Sequence, residues 1–330
     1  RKVKSLVDNQ QKNNRKTAFL FPGQGAQFVG MGKELYEQSS AAREIFDRVD
    51  SFLGESISKL MFEGPEDELV KTIYAQPAIM TVSLAYHAAM REILGDKFMP
   101  KPAMVAGHSL GEYTALVVAG VLDLDTGVKL VRERGRLMQE ACEQEAGLMA
   151  AVLGLDEMVM EQICRDSGSY VSNINCANQI VISGNRVAVV RGMEMARLRG
   201  AKKIIVLNVG GAFHSDLMSS AAAQLKEFVE KISFNDPKIP VISNCTGQPM
   251  LKPHNIREEL VSQIVSCVKW KQSISYMLDS GVSNFLELGP GRILSSLVNH
   301  ISDKPMTAKS ISSLDAISGL DDGLEKLSDS

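Results

Sequence analysis

The chain has 330 residues, of which 45% are hydrophobic and 23% are charged, and its formal net charge is −3. Because this length exceeds the usual size of one domain, it predicts two structural units or one domain with a large insertion. The small net charge excludes a general attraction to nucleic acid or to anionic membranes, and no apolar run approaches the roughly 18 residues that span a bilayer.

Ordered structure is predicted to begin at Thr17, after a polar N-terminal segment. Residues 1–16 contain six basic residues and one acidic residue, without the apolar run of a secretory signal, so we expect a peripheral tail. The next part of the chain alternates short apolar runs, typical of buried strands, with longer segments typical of helices. The predicted elements are a buried strand from Thr17, a glycine-rich turn, helices at 31–53 and 76–94, a strand at 103–107, and helices at 110–120 and 123–142.

The order of elements changes after Cys142. Residues 143–210 predict strand, helix, strand, strand, helix and strand, which is the ferredoxin-like split βαβ arrangement. We therefore expect a small inserted domain at 143–210, with strands at 147–154, 170–175, 179–184 and 201–209 and helices at 156–166 and 187–199.

The larger unit resumes at residue 211 and continues to 312. Because its strands alternate with helices, we expect an α/β fold with a mainly parallel sheet covered on both faces. Residues 313–330 end in an acidic segment and are expected to form a second peripheral tail. The elements predicted after 211 are a helix through about residue 231, a strand at 240–244, helices at 254–266 and 270–280, and a strand at 282–289.

The cysteines bear on cell compartment and metal binding. There are five, an odd number, and they are widely spaced with no C-x-x-C pair. This pattern predicts neither a disulfide framework nor a zinc site, so we expect no metal. A reducing, cytoplasmic compartment is the natural interpretation.

The GQGAQ segment at 23–27 is similar to a phosphate-binding loop but fits neither common pattern. Phe28 stands where the dinucleotide-binding fingerprint G-x-G-x-x-G requires its last glycine. The P-loop pattern fails too, since Lys33 is followed by Glu34 and no glycine lies five residues before Gly32. We therefore expect no nucleotide cofactor at this turn.

The GHSLG segment at 107–111 predicts a nucleophilic serine. It follows an apolar strand and opens a helix, which is the context of the G-x-S-x-G nucleophile elbow. Ser109 is then the nucleophile, and the helix start favours developing negative charge beside it. The backbone amide of Leu110, next after the nucleophile, is the expected oxyanion donor.

A nucleophilic serine needs a base, and the chain offers five histidines. His108 is adjacent to Ser109, so its side chain is expected to support the turn. His87 lies within a predicted helix, and His254 and His300 lie in polar segments. His214 lies in a Gly-Gly loop between a strand and a helix, a good position for an exposed catalytic imidazole, and is the predicted base by elimination.

Six motifs occur in order along the chain: FPGQGAQ, GHSLGEYTAL, RGRLMQEA, NQIVISG, GAFHSDLM and ELGPGRIL. Together they resemble the malonyl-CoA:acyl carrier protein transacylases of fatty-acid and polyketide synthesis, from about residue 17 to 312. The resemblance implies an α/β-hydrolase-like large domain at 17–142 and 211–312 with the ferredoxin-like domain inserted at 143–210.

The resemblance also implies roles for individual residues. Ser109 matches the family nucleophile and His214 its base, while the two oxyanion amides fall on Gln24 and Leu110. The main-chain carbonyl that orients the histidine falls on Gln263. Asp216, only two residues past His214, is therefore not expected to complete a triad.

Three further residues are implied to contact the substrate. Arg134 matches the family arginine that holds the malonyl carboxylate, for which a guanidinium fork is well suited. Asn175 matches an asparagine near the active site, although CAN at 176–178 departs from the family pattern. Phe213 resembles malonyl-selective members, since a smaller residue there would leave room for a methyl branch, which is worth only about 1–3 kcal/mol.

The expected activity is ping-pong transfer of malonyl from malonyl-CoA to the phosphopantetheine thiol of an acyl carrier protein, without a metal or redox cofactor. A monomer is the simplest expectation. The alternatives are a serine hydrolase such as a thioesterase, which shares Ser109 and His214, and a non-enzymatic domain that docks carrier proteins. A basic face at 185–203, including Arg191 and Arg197, is hypothesised to steer CoA phosphates or an acidic carrier.

Overall fold

The computed structural model describes residues 16–320, which form two β-sheets with helices packed against both. The mainly parallel sheet and the separate antiparallel sheet confirm the predicted α/β class. The limits predicted for the two domains stay a prediction. Among residues 16–320, no helix combines the length and the apolar character required to cross a membrane.

The larger sheet has six strands in the order β10-β9-β1-β2-β7-β8, and only β8 runs antiparallel to its neighbour. Helices cover both faces, as expected for a parallel sheet. The strands are β1 Lys16–Phe21, β2 Pro102–Gly107, β7 Val241–Ile242, β8 Pro249–Met250, β9 Val282–Leu288 and β10 Thr307–Ile311. The helices of this unit are α1 Lys33–Gln38, α2 Ser40–Leu53, α3 Ile57–Glu63, α4 Glu66–Leu69, α5 Thr72–Phe98, α6 Gly111–Val118, α7 Leu124–Gln144, α10 Ser219–Val229, α11 Pro253–Gln263, α12 Trp270–Asp279 and α13 Ile293–Val298.

The smaller sheet has four antiparallel strands in the order β4-β5-β3-β6. This is the ferredoxin-like arrangement predicted from the order of elements. Its strands are β3 Gly147–Leu153, β4 Tyr170–Cys176, β5 Gln179–Asn185 and β6 Lys203–Val206, and its helices are α8 Glu157–Ser167 and α9 Arg186–Leu198.

Successive side chains of β1 enter two different clusters of the hydrophobic core. Phe19 and Phe21 belong to the largest cluster of buried side chains, whereas Ala18 and Leu20 belong to a second cluster with Trp270. Because successive side chains of a strand point to opposite faces, the central strand is buried on both sides. The site described below lies at the carboxyl ends of these buried strands.

Several predicted elements have different bounds in the structure. The helix expected at 31–53 is two helices, because Ser39 is extended and its side chain caps the second helix by accepting from the amide of Ala42. The helix expected at 76–94 begins earlier, at Thr72, and the strand expected at 201–209 is limited to β6. Helices α3, α4 and α13 and strands β8 and β10 were not predicted.

The prediction that residues 313–330 form a peripheral tail is wrong for the first part of this segment. Residues 314–320 are helical, and Ile317 is fully buried in the main core. Leu314, Ala316 and Leu320 pack against the same core, so apolar spacing outweighs the acidic residues around it. The predicted N-terminal tail lies outside the described residues except for Lys16, with which β1 begins.

Burial of Ile317 yields a stability prediction. Replacing Ile317 with Ala should lower the free energy of unfolding by about 2–5 kcal/mol, because a buried side chain is removed and a cavity is left. Urea denaturation measures this change. As a control, Leu198→Ala should change stability by less than about 0.5 kcal/mol, because Leu198 is 88% exposed. Equal stability of the Ile317→Ala and wild-type proteins would contradict a core role for residues 314–320.

Candidate active site

The predicted nucleophile occupies a strained turn between β2 and α6. Ser109 has a φ of 51°, in the left-handed region that few non-glycine residues adopt. The turn requires its flanking glycines, since a Cβ on Gly107 would lie 1.8 Å from the carbonyl carbon of Gly111. The local geometry therefore matches the nucleophile elbow expected from GHSLG.

The structure brings the predicted base to the predicted nucleophile. The Ser109 hydroxyl lies 2.8 Å from Nε2 of His214, and Nδ1 of His214 lies 2.7 Å from the backbone carbonyl oxygen of Gln263. A carbonyl oxygen can only accept, so Nδ1 carries the proton and Nε2 is left to accept from the serine. Asp216 is not on the imidazole; it accepts a hydrogen bond from the hydroxyl of Tyr170 at 3.0 Å.

The imidazole of His214 is buried, contrary to the exposed position expected from its loop, and only 4% of its surface is accessible. Burial, reinforced by the positive charge of Arg134, lowers the pKa of His214 to about 3. The side chain is therefore neutral near pH 7, which is the state a general base needs.

The two predicted oxyanion donors lie on adjoining turns. Gly23, which precedes Gln24, packs so closely on the serine turn that a Cβ there would lie 2.3 Å from the carbonyl oxygen of His108 and 3.7 Å from the amide nitrogen of Leu110. Within residues 16–320, neither the Gln24 nor the Leu110 amide has a hydrogen-bond acceptor. Two unpaired amides beside Ser109 suit a developing oxyanion.

Arg134 is a buried cation beside the nucleophile. It is 1% exposed, and its Nη2 donates to Ser109 Oγ at 3.2 Å and to Gln263 Oε1 at 2.9 Å. Nη1 donates to Gln76 Oε1 at 2.7 Å, and the guanidinium lies over the ring of Tyr113. All these partners are uncharged, and in the described part of the chain no carboxylate pairs with Arg134 and its Nε has no acceptor.

Buried charges are normally paired, because removing an ion from water is costly. Burial lowers the pKa of Arg134, but a guanidinium still keeps its proton. A cation that is buried and lacks an anion therefore points to an anionic ligand at this position.

Asn175 and Phe213 both line the cleft above the serine. Asn175 Oδ1 lies 2.9 Å from Nε2 of His108, so this asparagine holds the histidine adjacent to the nucleophile. That contact supports the expectation that His108 braces the turn. Phe213 is 95% buried, and directly precedes the base.

The cleft has a volume of about 490 Å³ and lies between the two sheets. One wall comes from the loops at the carboxyl ends of β1 and β2 and from helix α13, and the other comes from the smaller sheet, including Met149 and Val181. The carboxyl edge of a parallel sheet is the usual place for ligands in open α/β folds. Within residues 16–320, no cluster of three His, Cys, Asp or Glu side chains could hold a metal ion.

The basic face hypothesised from residues 185–203 does not line this cleft. Helix α9 packs on the face of the smaller sheet that carries Ala150 and Ile182, whereas Met149 and Val181 point to the cleft from the other face. Arg191 and Arg197 are exposed on the outer side of that sheet. Steering by these residues stays a prediction.

Two polar residues of the site were not predicted from the sequence. Gln76 is completely buried against Arg134, and Asn244 is completely buried against Ser109. The available signals were weak. One was a glutamine in the apolar part of a helix, and the other was an asparagine two residues after a short buried strand.

Comparisons with known proteins bear on the family of the chain. The family model described as acyl transferase domain matches residues 18–317. A malonyl CoA-acyl carrier protein transacylase of Bacillus subtilis (strain 168) is 44% identical over 300 residues, which cover 88% of this chain and 92% of that protein.

Solved structures show the same fold. An acyl-carrier-protein S-malonyltransferase from Bartonella henselae has a TM-score of 0.88 at 40% identity, covering 94% of this chain and 99% of that one. A malonyl-transacylase solved with its type II polyketide synthase acyl-carrier protein has a TM-score of 0.88 at 34% identity, covering 93% and 99%.

The lowered pKa of His214 predicts the pH dependence of serine acylation. The imidazole must be neutral to accept the proton, and its pKa lies near 3, well below the ordinary 6.5. The acylation rate should therefore stay level as the pH falls from about 7 to about 5. Rapid-quench measurement of the acyl-enzyme tests this, with the exposed His254→Ala variant as a control that keeps the same profile. A midpoint near 6.5 in both proteins would contradict the burial argument.

Proposed function

The chain belongs to the acyl transferase domain family, and we propose that it transfers a malonyl group from malonyl-CoA to the phosphopantetheine thiol of an acyl carrier protein. The observation that carries the choice of acyl group is the buried, unpaired guanidinium of Arg134 beside Ser109. A malonyl thioester has a free carboxylate that a guanidinium fork can bind through two charge-assisted hydrogen bonds.

The first half-reaction acylates the serine. His214 Nε2 takes the hydroxyl proton of Ser109 as its oxygen attacks the thioester carbonyl carbon. The amides of Gln24 and Leu110 hold the negative oxygen of the tetrahedral intermediate. The bond from carbon to sulfur then breaks, and His214 returns the proton to the departing CoA thiolate.

The second half-reaction reverses these steps with a different thiol. The carrier's pantetheine thiol gives its proton to His214 and attacks the malonyl ester. Ser109 leaves with the returned proton, and malonyl-pantetheine is released. Throughout, the malonyl carboxylate stays on Arg134, whose contact with Ser109 Oγ at 3.2 Å suits a short three-carbon acyl group.

The main alternative is a serine hydrolase that releases the acyl group to water. It would use Ser109 and His214 in the same way, but it gives no reason for a buried, unpaired Arg134. The base also lacks the carboxylate partner that usually supports hydrolase triads, since Gln263 contributes a carbonyl oxygen instead. Both observations favour transfer to a thiol over hydrolysis.

The proposal also covers the acyl acceptor, the cofactors, the cell compartment and the oligomeric state. A related transacylase has been solved with its acyl-carrier protein, which supports a carrier as the acceptor here. The reaction needs no metal or redox cofactor, because Ser109 supplies the nucleophile and His214 the proton transfer. We propose that the protein acts as a cytoplasmic monomer, and that Phe213 narrows the cleft in favour of malonyl over branched acyl groups.

A labelling experiment separates the possible functions. Incubation with labelled malonyl-CoA should give a Ser109 adduct that persists in water and then moves to added holo-carrier protein. Rapid release of free malonate from that adduct would favour a hydrolase, and absence of an adduct would favour a docking domain. Ser109→Ala is the control and should give no adduct. Mass spectrometry of protein and carrier measures all three outcomes.

Removing the guanidinium should change which acyl group is transferred. Arg134→Ala should lower malonyl transfer by about 10²- to 10⁴-fold, since two charge-assisted hydrogen bonds worth about 1.5–3 kcal/mol each are lost. Acetyl transfer should be retained or increased, because acetyl has no carboxylate to bind. Ratios of kcat/KM for malonyl-CoA and acetyl-CoA measure this effect.

A matched control lies on the same helix. Arg136 is 40% exposed and pairs with Glu133 and Glu140, so Arg136→Ala should leave the malonyl-to-acetyl ratio unchanged. If Arg134→Ala transferred malonyl at the wild-type rate, the carboxylate clamp would be wrong.

A further inference from the structure

A single buried side chain ties together the two sides of the serine turn. Asn244 follows β7 and is completely buried. Its Oδ1 accepts from the backbone amide of Ser109 at 2.7 Å, and its Nδ2 donates to the backbone carbonyl of Gly107 at 2.8 Å. One side-chain amide thus satisfies the backbone on both sides of His108, where the chain enters its left-handed conformation.

We propose that Asn244 is a positioning residue that locks the nucleophile turn, and that the buried carboxyl groups of Glu112 and Glu259 hold the backbone around Asn244 in place. The inference rests on the proposed acyl transfer and assigns residues that act on Ser109 without touching substrate. None of the three lines the cleft. Any effect they have on catalysis must therefore pass through the turn.

Gln263 connects Asn244 and the nucleophile turn to the other groups of the site. Its Nε2 donates to the carbonyl oxygen of Ser109 at 3.0 Å and to Glu112 Oε2 at 2.5 Å, and it lies 3.3 Å from Asn244 Oδ1. Its Oε1 accepts from Arg134, and its backbone carbonyl orients His214. Movement of Gln263 would disturb the nucleophile, the base and the cation together.

The two acids lie beneath this amide network. Glu112 Oε1 accepts from the backbone amide of Asn244 at 2.8 Å. Glu259 accepts from the hydroxyl of Ser243 at 2.7 Å and from the backbone amide of Cys245 at 2.9 Å. The two carboxyl groups, one from α6 and one from α11, therefore accept hydrogen bonds from three consecutive residues, 243–245.

Glu112 and Glu259 are both buried, and together they accept hydrogen bonds from all three residues of the 243–245 segment. Burial and the charge of Glu259 raise the pKa of Glu112 well above its ordinary value. Removing either carboxyl group would leave buried donors of this segment without an acceptor.

The test compares Asn244→Ala with a matched asparagine variant. Asn284 also makes one donor and one acceptor hydrogen bond, to Thr17 and Thr307, but it lies in β9 away from Ser109. Asn244→Ala should lower the single-turnover rate of Ser109 malonylation by about 10²-fold, because displacement of the nucleophile by about 1 Å has that effect. Its KM for malonyl-CoA should change less than about threefold. Asn284→Ala should leave both values unchanged.

A second variant guards against simple unfolding. Asn244→Asp keeps the size and the acceptor for the Ser109 amide but, when ionised, cannot donate to Gly107; we expect a loss of at least about tenfold in the acylation rate. Circular dichroism and thermal unfolding identify variants that remain folded. A folded variant of either kind that acylates at the wild-type rate overturns the proposal.

Glu112→Ala tests the support that the acid gives to Asn244, because it removes the acceptor of the Asn244 backbone amide. It should lower the acylation rate by about tenfold, and a folded variant that acylates at the wild-type rate overturns this role of Glu112. A serine-directed fluorophosphonate probe separates this inference from the proposed function, because it measures Ser109 reactivity without malonyl-CoA. If wild type reacts with the probe but not with malonyl-CoA, the proposed function fails; if Asn244→Ala reacts with the probe at the wild-type rate, only the lock fails.

Discussion

A serine held in the left-handed backbone region is the constraint on which the rest of this site depends. Such a conformation costs on the order of 1–3 kcal/mol for a residue with a side chain, so its surroundings must hold it. The flanking glycines remove clashes, and side chains of Asn244 and Gln263 bond the backbone on both sides of the turn. In return the hydroxyl of Ser109 stands in the cleft, within 2.8 Å of its base.

A single buried cation determines the charge next to this turn. Arg134 is the cation nearest Ser109, and its direct partners are all neutral. In a low-dielectric site, an anion seated on the guanidinium is held more strongly than it would be in water. Burial, together with the same positive charge, lowers the pKa of His214 and favours the neutral imidazole. Arg134 therefore adds to the effect of burial on the base, and in the proposed reaction it also binds the acyl carboxylate.

Local patterns predicted the presence and order of several elements. The strand before Ser109, the helix after it and the four strands and two helices of the smaller unit follow from apolar spacing and turn residues, although β6 is shorter than predicted. The break at Ser39 was missed because it depends on tertiary contact: the Ser39 side chain caps α2 and also donates to Glu92, far along the chain. Helix 314–320 was missed for a related reason, since its acidic surroundings hid the apolar side that Ile317 anchors in the core.

Some residues of the site could be predicted from nearby sequence, whereas others depend on contacts between distant parts of the chain. Motif and local context were enough to predict Ser109 and His214, because each lies in a short, recognisable turn. Asn244 lies 135 residues from Ser109 in sequence, and it reaches the nucleophile only because β7 is the neighbour of β2 in the larger sheet. Residues that follow adjacent parallel strands meet at one edge, so knowledge of the strand order would have placed 243–245 beside Ser109. The missing information was topology rather than chemistry, since the inserted domain separates these neighbouring strands along the chain.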